Sequence, residues 1–261
     1  MAMLIAAGTG SSATAQSAAF EVASVKLHTS ADARMYMVAQ PGGRFVAANI
    51  PLRLLIRTAF QLQNDQIIGG PGWLETDRFD IEARGTDAVG LPGTQLLDML
   101  KSLLADRFKL TTHSDKRELP VFALERGRRD GALGPGLRPT VCPDPTIDLR
   151  QPRPCSNIQT GAASLTIRGM PFDQFAPYLS PYVNRVVVNR AALEGRYDID
   201  LKWTPESSSQ GRSGAGQPSA ADPDAVSIYT AVQEQLGLRL TATRDTVDVL
   251  VIDTLEHPAP N

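Results

Sequence analysis

Ile50-Pro-Leu-Arg-Leu-Leu-Ile-Arg-Thr-Ala59 has a counterpart 120 positions on in Met170-Pro-Phe-Asp-Gln-Phe-Ala-Pro-Tyr-Leu179. Pro51 and Pro171 fall where the first turn of a helix begins, the one place where a missing N–H costs nothing. Behind them, Leu52, Leu55, Ile56 and Ala59 follow i, i+3, i+4, i+7 spacing. Phe172, Phe175, Ala176 and Leu179 repeat that spacing. Each set forms the apolar stripe of a short amphipathic helix. Pro177 and Pro181 predict a shorter or irregular second helix.

The correspondence extends outward. Leu74-Glu-Thr-Asp-Arg-Phe-Asp-Ile-Glu82 parallels Leu193-Glu-Gly-Arg-Tyr-Asp-Ile-Asp200 with one gap, and both alternate polar and apolar residues as half-buried strands do. Residues 66–69 and 185–189 read as short strands before them, and residues 44–48 and 164–168 as opening strands. A second helix follows in each half, over residues 93–104 and 225–236, with Thr94 and Asp224 as candidate N-caps. Residues 108–124 and 238–252 then predict terminal β-hairpins. Phe20-Glu-Val-Ala-Ser-Val25 is an extra strand with no evident partner in the second half. The expected fold is α+β: two tandem β-α-β-β-α-β-β repeats with small mixed sheets and helices packed on one face.

The remaining segments divide the chain. Residues 1–15 read as a signal-peptide remnant, apolar and then small, ending in an Ala13-Thr14-Ala15 cleavage pattern. Residues 16–125 form the N-terminal repeat and residues 161–261 the C-terminal one. Between them, residues 126–160 are a Pro/Gly/Arg-rich connector. Residues 205–223 have the composition of a disordered insertion inside the second repeat. Cys142 and Cys155 are the two cysteines, both in the connector. A disulfide between them closes a loop of about 14 residues and contributes roughly 3 kcal/mol. Such a staple suits an exported protein, so the expected location is periplasmic or secreted.

Composition excludes several function classes. The 28 acids and 26 bases nearly cancel, which argues against a general polyanion binder and hence against nucleic acid as partner. No apolar run is long enough for a membrane span. The three histidines are far apart in sequence, so no metal or other cofactor is expected.

The assembled stretches resemble a family. Phe20-Glu-Val-Ala-Ser-Val-Lys26, Gly69-Gly-Pro-Gly-Trp73, Leu103-Leu-Ala-Asp-Arg-Phe-Lys-Leu110 and Arg117-Glu-Leu-Pro-Val-Phe-Ala-Leu124 carry it in the first half. Leu193-Glu-Gly-Arg-Tyr-Asp-Ile-Asp-Leu-Lys-Trp203, Gln235-Leu-Gly-Leu-Arg-Leu240 and Val249-Leu-Val-Ile-Asp253 carry it in the second. Together they resemble a secreted family, a domain of unknown function, abundant in soil Acidobacteria. Related regions attached to membrane sensor-type metallopeptidases imply sensing or binding outside the cytoplasm, but this chain has no His-Glu-x-x-His motif. Each half also resembles the short N-terminal domain of secretins and TonB-dependent receptors, best in Leu193-Glu-Gly195 and Leu236-Gly-Leu238. That resemblance implies docking to a partner protein.

The candidate chemistry is sparse. His113-Ser114-Asp115 are sequence neighbours, whereas a triad needs members brought from separate elements. Asp80 with Glu82, and Asp198 with Asp200, each share a strand face as paired acid–base carboxylates do, yet their recurrence in both halves fits a repeated solvent-facing side better. Gly69-Gly70-Pro71-Gly72-Trp73 lacks the Lys-Ser/Thr ending and the following helix of a phosphate loop. Trp73 either caps the core or stands exposed as a binding hot spot, with Gly70 and Gly72 shaping its turn. The sequence thus points to a non-catalytic extracytoplasmic interaction module whose partner is another envelope or secreted protein. A secreted hydrolase using His113 or the strand carboxylates and a structural envelope-assembly component are the rival readings.

Overall fold

The computed structural model describes residues 19–40, 42–85, 93–142, 155, 157–204 and 226–259. The expected signal remnant at 1–15, the insertion at 205–223 and the candidate cap Asp224 lie outside them. Contacts divide the chain into two compact units. Unit 1 comprises Met1–Leu62, Ile67–Ser114 and Leu250–Asn261, and unit 2 comprises Gln63–Gln66 and Asp115–Val249. The architecture is α+β.

Unit 1 is built on a four-stranded antiparallel sheet of β1 (Val22–Leu27), β2 (Tyr36–Gln40), β3 (Arg44–Pro51) and β5 (Arg78–Arg84), in the order β1-β5-β3-β2. Alternation buries Val25, Phe45, Ala47, Phe79 and Ile81 on one face. Helices α1 (Leu52–Phe60) and α3 (Gly93–Phe108) cover that face. The stripe Leu52, Leu55, Ile56 and Ala59 is fully buried, as its spacing requires. Short β4 (Ile67–Gly69) and α2 (Trp73–Thr76) lie between α1 and β5. Because α3 starts at Gly93, Thr94 is inside the helix and is not its cap.

Unit 2 has a second four-stranded antiparallel sheet. Its strands are β7 (Leu137–Thr140), β8 (Asn157–Thr160), β9 (Ser164–Pro171) and β11 (Arg196–Lys202), in the order β7-β11-β9-β8. Phe172–Gln174 form a 3-10 turn, followed by α4 (Ala176–Val183), so the prolines do split this helix. Short β10 (Val187–Asn189) and α5 (Ile228–Leu236) complete the unit with its core. Ser227 caps α5, its Oγ accepting the Thr230 N–H at 3.2 Å. The elements β3-α1-β4-β5-α3 and β9-α4-β10-β11-α5 follow one another in the same order.

Two expectations need correction. The terminal hairpins are single long strands, β6 (Thr111–Arg126) and β12 (Leu238–Thr254). The polar residues expected to turn the chain continue it instead, because they find partners on the neighbouring strand. Glu118 accepts from Arg244 at 2.6 Å, and Lys116 lies 3.8 Å from Asp248. Each long strand contributes to both units. In unit 1, β4 runs parallel to residues 250–252 of β12, and in unit 2, β10 runs parallel to residues 122–124 of β6. These are the parallel pairings among the described residues, so the mixture of strand directions lies outside the two antiparallel sheets. The connector is also more than a connector, since it supplies both edge strands of the second sheet, β7 and β8. Strand β7 pairs with β11 as β1 pairs with β5.

One consequence of the strand orders shapes both outer faces. Strands β1 and β2 are consecutive in the chain but occupy opposite edges of their sheet, so residues 28–35 must cross from edge to edge. Strands β7 and β8 stand in the same relation in the second sheet. The crossing in unit 1 is a strap, and it is fastened.

Candidate functional site

The strand carboxylates are the first candidates, and the structure gives them mechanical work. In β3 the register shifts between Ala47 and Ile50, and Asn49 adopts a left-handed conformation, φ 56°. Its backbone N–H donates to Asp80 Oδ1 on the facing strand at 2.9 Å. In β11 against β9 the register shifts between Tyr197 and Ile199, next to Gly169 at φ 65°. The Gly169 N–H donates to Asp198 Oδ1 at 2.8 Å. A bulge turns an N–H out of the ladder, and a carboxylate from the next strand satisfies it. Glu82 pairs with Arg44 at 3.3 Å, and Asp200 is gripped by Arg138 and Arg168, each at 2.7 Å. The recurrence of Asp80 and Asp198 therefore follows from recurrence of the bulge.

The strap of unit 1 and the disulfide of unit 2 each meet a bulge. Over the second sheet, Cys142 and Cys155 form a disulfide, with Cα atoms 5.8 Å apart. It rests directly on Gly169, where a Cβ would come within 2.5 Å of Cys155 Sγ and 2.7 Å of Cys142 Sγ. Over the first sheet the tie joins an imidazole to a carboxylate. His28 Nδ1 donates to Asp80 Oδ1 at 2.8 Å, the carboxylate that also holds Asn49. On the other side, Asn49 Nδ2 donates to the Ala33 carbonyl at 3.0 Å. Sequence reasoning missed His28, because it lies 52 residues from its partner and no local pattern announces the pair. Gly169 carried a signal, since a glycine inside a strand pattern marks a bulge.

The three histidines are all in unit 1, each bonded to an aspartate. His113 Nδ1 meets Asp253 Oδ1 at 2.7 Å, not Ser114 or Asp115. Strand alternation sends His113 and Ser114 to opposite faces, and Asp115 accepts from Arg117 at 2.8 Å. His257 Nε2 is 2.9 Å from Asp77, which holds that carboxyl below its ordinary range.

Trp73 does not stand free. It is half-buried at the start of α2, stacks on the His257 ring at 3.9 Å between centroids, and meets Phe79 edge-on at 6.3 Å. Gly70 has φ 90°, and a Cβ there would press on Leu74 and Ile252. Gly72 is exposed with open space around it. A helix does follow this glycine stretch, contrary to expectation, but it is four residues long. Trp73 thus packs against the core, and the structure does not gather Trp73, Gly70 and Gly72 around a cavity.

An open depression of about 440 Å³ in unit 2 is lined by residues 171–173 and 193–196. The Arg196 guanidinium at its rim donates to the Gly169 carbonyl at 2.7 Å. No group of three or more His, Cys, Asp or Glu side chains placed to hold a metal ion occurs among the described residues. No helix among them is long and apolar enough to cross a membrane.

The exposed surface of unit 1 offers a different feature. Strand β2 is an edge strand, Tyr36-Met-Val-Ala-Gln40, without one charged residue. Tyr36 is 50% exposed and Val38 41%, and the preceding Met35 is 55% exposed. Strand β8, the corresponding edge of the second sheet, is likewise uncharged and exposed. Sequence reasoning overlooked both strands. The turn glycines Gly42 and Gly43, both at positive φ, were the available sign of the β2–β3 hairpin.

No curated protein and no solved structure matches this chain. A family model described as "Protein of unknown function (DUF3738)" matches residues 53–255, which is most of the chain, and the protein belongs to that family.

Proposed function

We propose that this protein is a non-catalytic interaction module working outside the cytoplasm, possessing two similar repeats, and that it docks another envelope or secreted protein at an edge strand. The observation that carries the reading is β2. Edge strands expose a row of unpaired N–H and C=O groups, and proteins ordinarily guard them with charge, proline or cover. The outer parts of β6 show that guarding, with Asp115, Lys116, Arg117, Glu118 and Pro120 within ten residues of its start. Strand β2 has none of it and adds an exposed Tyr36 and Val38 on one side. An extended segment of a partner could add to this edge, with main-chain bonds supplying affinity and the two apolar side chains supplying selectivity. The disulfide supports a location in an oxidising compartment. The histidines, each bonded to an aspartate, and the strand carboxylates, engaged at bulges or in ion pairs with arginine, support a role without bond chemistry.

The test is affinity capture from the native envelope fraction by the mature protein and by Val38→Lys, with captured proteins identified by mass spectrometry. A partner retained by the wild type and lost with the charged edge supports docking at β2. Equal capture by both proteins rules this edge out.

A further inference from the structure

We infer that the strap of unit 1, residues 28–35, is held against its sheet by a proton-dependent clasp at His28. The geometry around the ring carries the inference. His28 Nδ1 faces both oxygens of Asp80, at 2.8 and 3.0 Å, and Nε2 faces the Asp32 carbonyl oxygen at 3.1 Å. A carboxylate and a carbonyl only accept, so both ring nitrogens must carry hydrogen for both contacts to be bonds. A neutral imidazole has one N–H. It leaves one lone pair aimed at an oxygen, and the clasp loses either its strap bond or its sheet bond.

The surroundings favour the charged ring. Asp80 from β5 and Asp32 from the strap face it, and their pull outweighs the desolvation of a side chain only 11% exposed. Lys26 on β1 and Arg78 on β5 occupy neighbouring register positions on the same face and oppose protonation. Strand β3 contributes uncharged Asn49. Arg34 is committed to Asp32, which it grips through Nε and Nη2. The contact with Asp80 raises the His28 pKa above its ordinary 6.5. Stabilisation from the clasp is therefore complete below about pH 6.5 and is lost as pH rises through the higher folded value. A released strap would loosen the chain leading into β2. That last consequence rests on the docking reading, whereas the clasp does not.

The experiment is NMR titration of the His28 ring in the full chain, folded and in urea, with Asp32, Arg34 and Asn49 amides followed in parallel. The expected result is a folded midpoint above the unfolded one, with the three amides moving at that midpoint. A His28 midpoint at or below the unfolded value overturns the clasp, and so do strap amides that ignore the titration. His28→Gln supplies a second readout by denaturant unfolding. The wild type should exceed it in folding equilibrium constant by about tenfold near about pH 5.5, the scale of one charge-assisted hydrogen bond. Near about pH 9 the two should agree within about twofold. A ratio that does not change with pH also overturns the proposal, and should the variant fail to fold, the wild-type titration decides alone.

Discussion

At the residue scale, the two bulges show how one backbone event dictates side chains on two strands and above them. A left-handed residue turns its N–H outward, an aspartate on the next strand receives it, and His28 in unit 1 or the disulfide in unit 2 meets the same spot. Asn49 and Gly169 solve the conformational demand differently. Asparagine tolerates the left-handed region, and its side chain adds a bond to the strap. Glycine leaves room for a disulfide to lie flat on the strand. Gly169→Ala should cost about 2 kcal/mol or more, part from φ 65° and part from the collision with both sulfurs. The two parts separate in a double-mutant cycle with the Cys142→Ser, Cys155→Ser protein. There the collision is relieved, so the measured cost of Gly169→Ala should shrink while the backbone part remains. Equal costs in both backgrounds would show that the disulfide does not press on Gly169.

At the element scale, legibility followed periodicity. The stripe of α1 and the alternation of β5 and β11 were plain in the sequence, because burial on one face leaves a period of 3.6 or 2. Strands β6 and β12 were misjudged because polar residues in mid-strand look like a turn. Only cross-strand partners such as Glu118 for Arg244 make a continuous strand tolerable there, and partners 126 residues apart leave no local trace. The packing of the Gly-rich run before β7 leaves no local trace for a similar reason. Gly136 is there because two backbones touch: its N–H donates to the Gln235 carbonyl at 2.7 Å, and a Cβ would collide with the Asp200 carbonyl. Helix α5 offers a direct test of local signals. Ser227→Ala removes the bond to the Thr230 N–H and should destabilise unit 2 by about 1 kcal/mol, as thermal or denaturant unfolding would record. Cost near zero would mean the helix end is held by packing alone.

At the scale of the whole molecule, the order of elements was legible and their partnership was not. Sequence similarity sorts the chain into a first and a second half, but unit 1 takes Leu250–Asn261 from the far end of the chain. Leu250 and Ile252 belong to the core of unit 1, residues 250–252 pair with β4, and His257 covers Trp73 while bonding Asp77. Glu256 donates its N–H to the Phe108 carbonyl at 2.8 Å. The Asp77–His257 bond lowers the Asp77 pKa, as Arg190 lowers that of Asp245 and Arg34 brings Asp32 to about 2. For such groups stability is present above the unfolded carboxylate pKa and fades as pH falls through the lowered one. Acid should therefore erode the fold below about pH 4, with Asp77→Asn less sensitive than the wild type. A stronger consequence concerns fragments. If similarity defined the folding units, residues 16–125 would fold alone. The packing requires the opposite: without residues 250–259 the fragment loses two core side chains, the partner of β4 and the cover of Trp73. Circular dichroism should find no cooperative thermal transition in this fragment, and a chain ending at Val249 should lose unit 1 in the same way. A sharp transition in residues 16–125 would show that the C-terminal segment merely decorates a unit already complete.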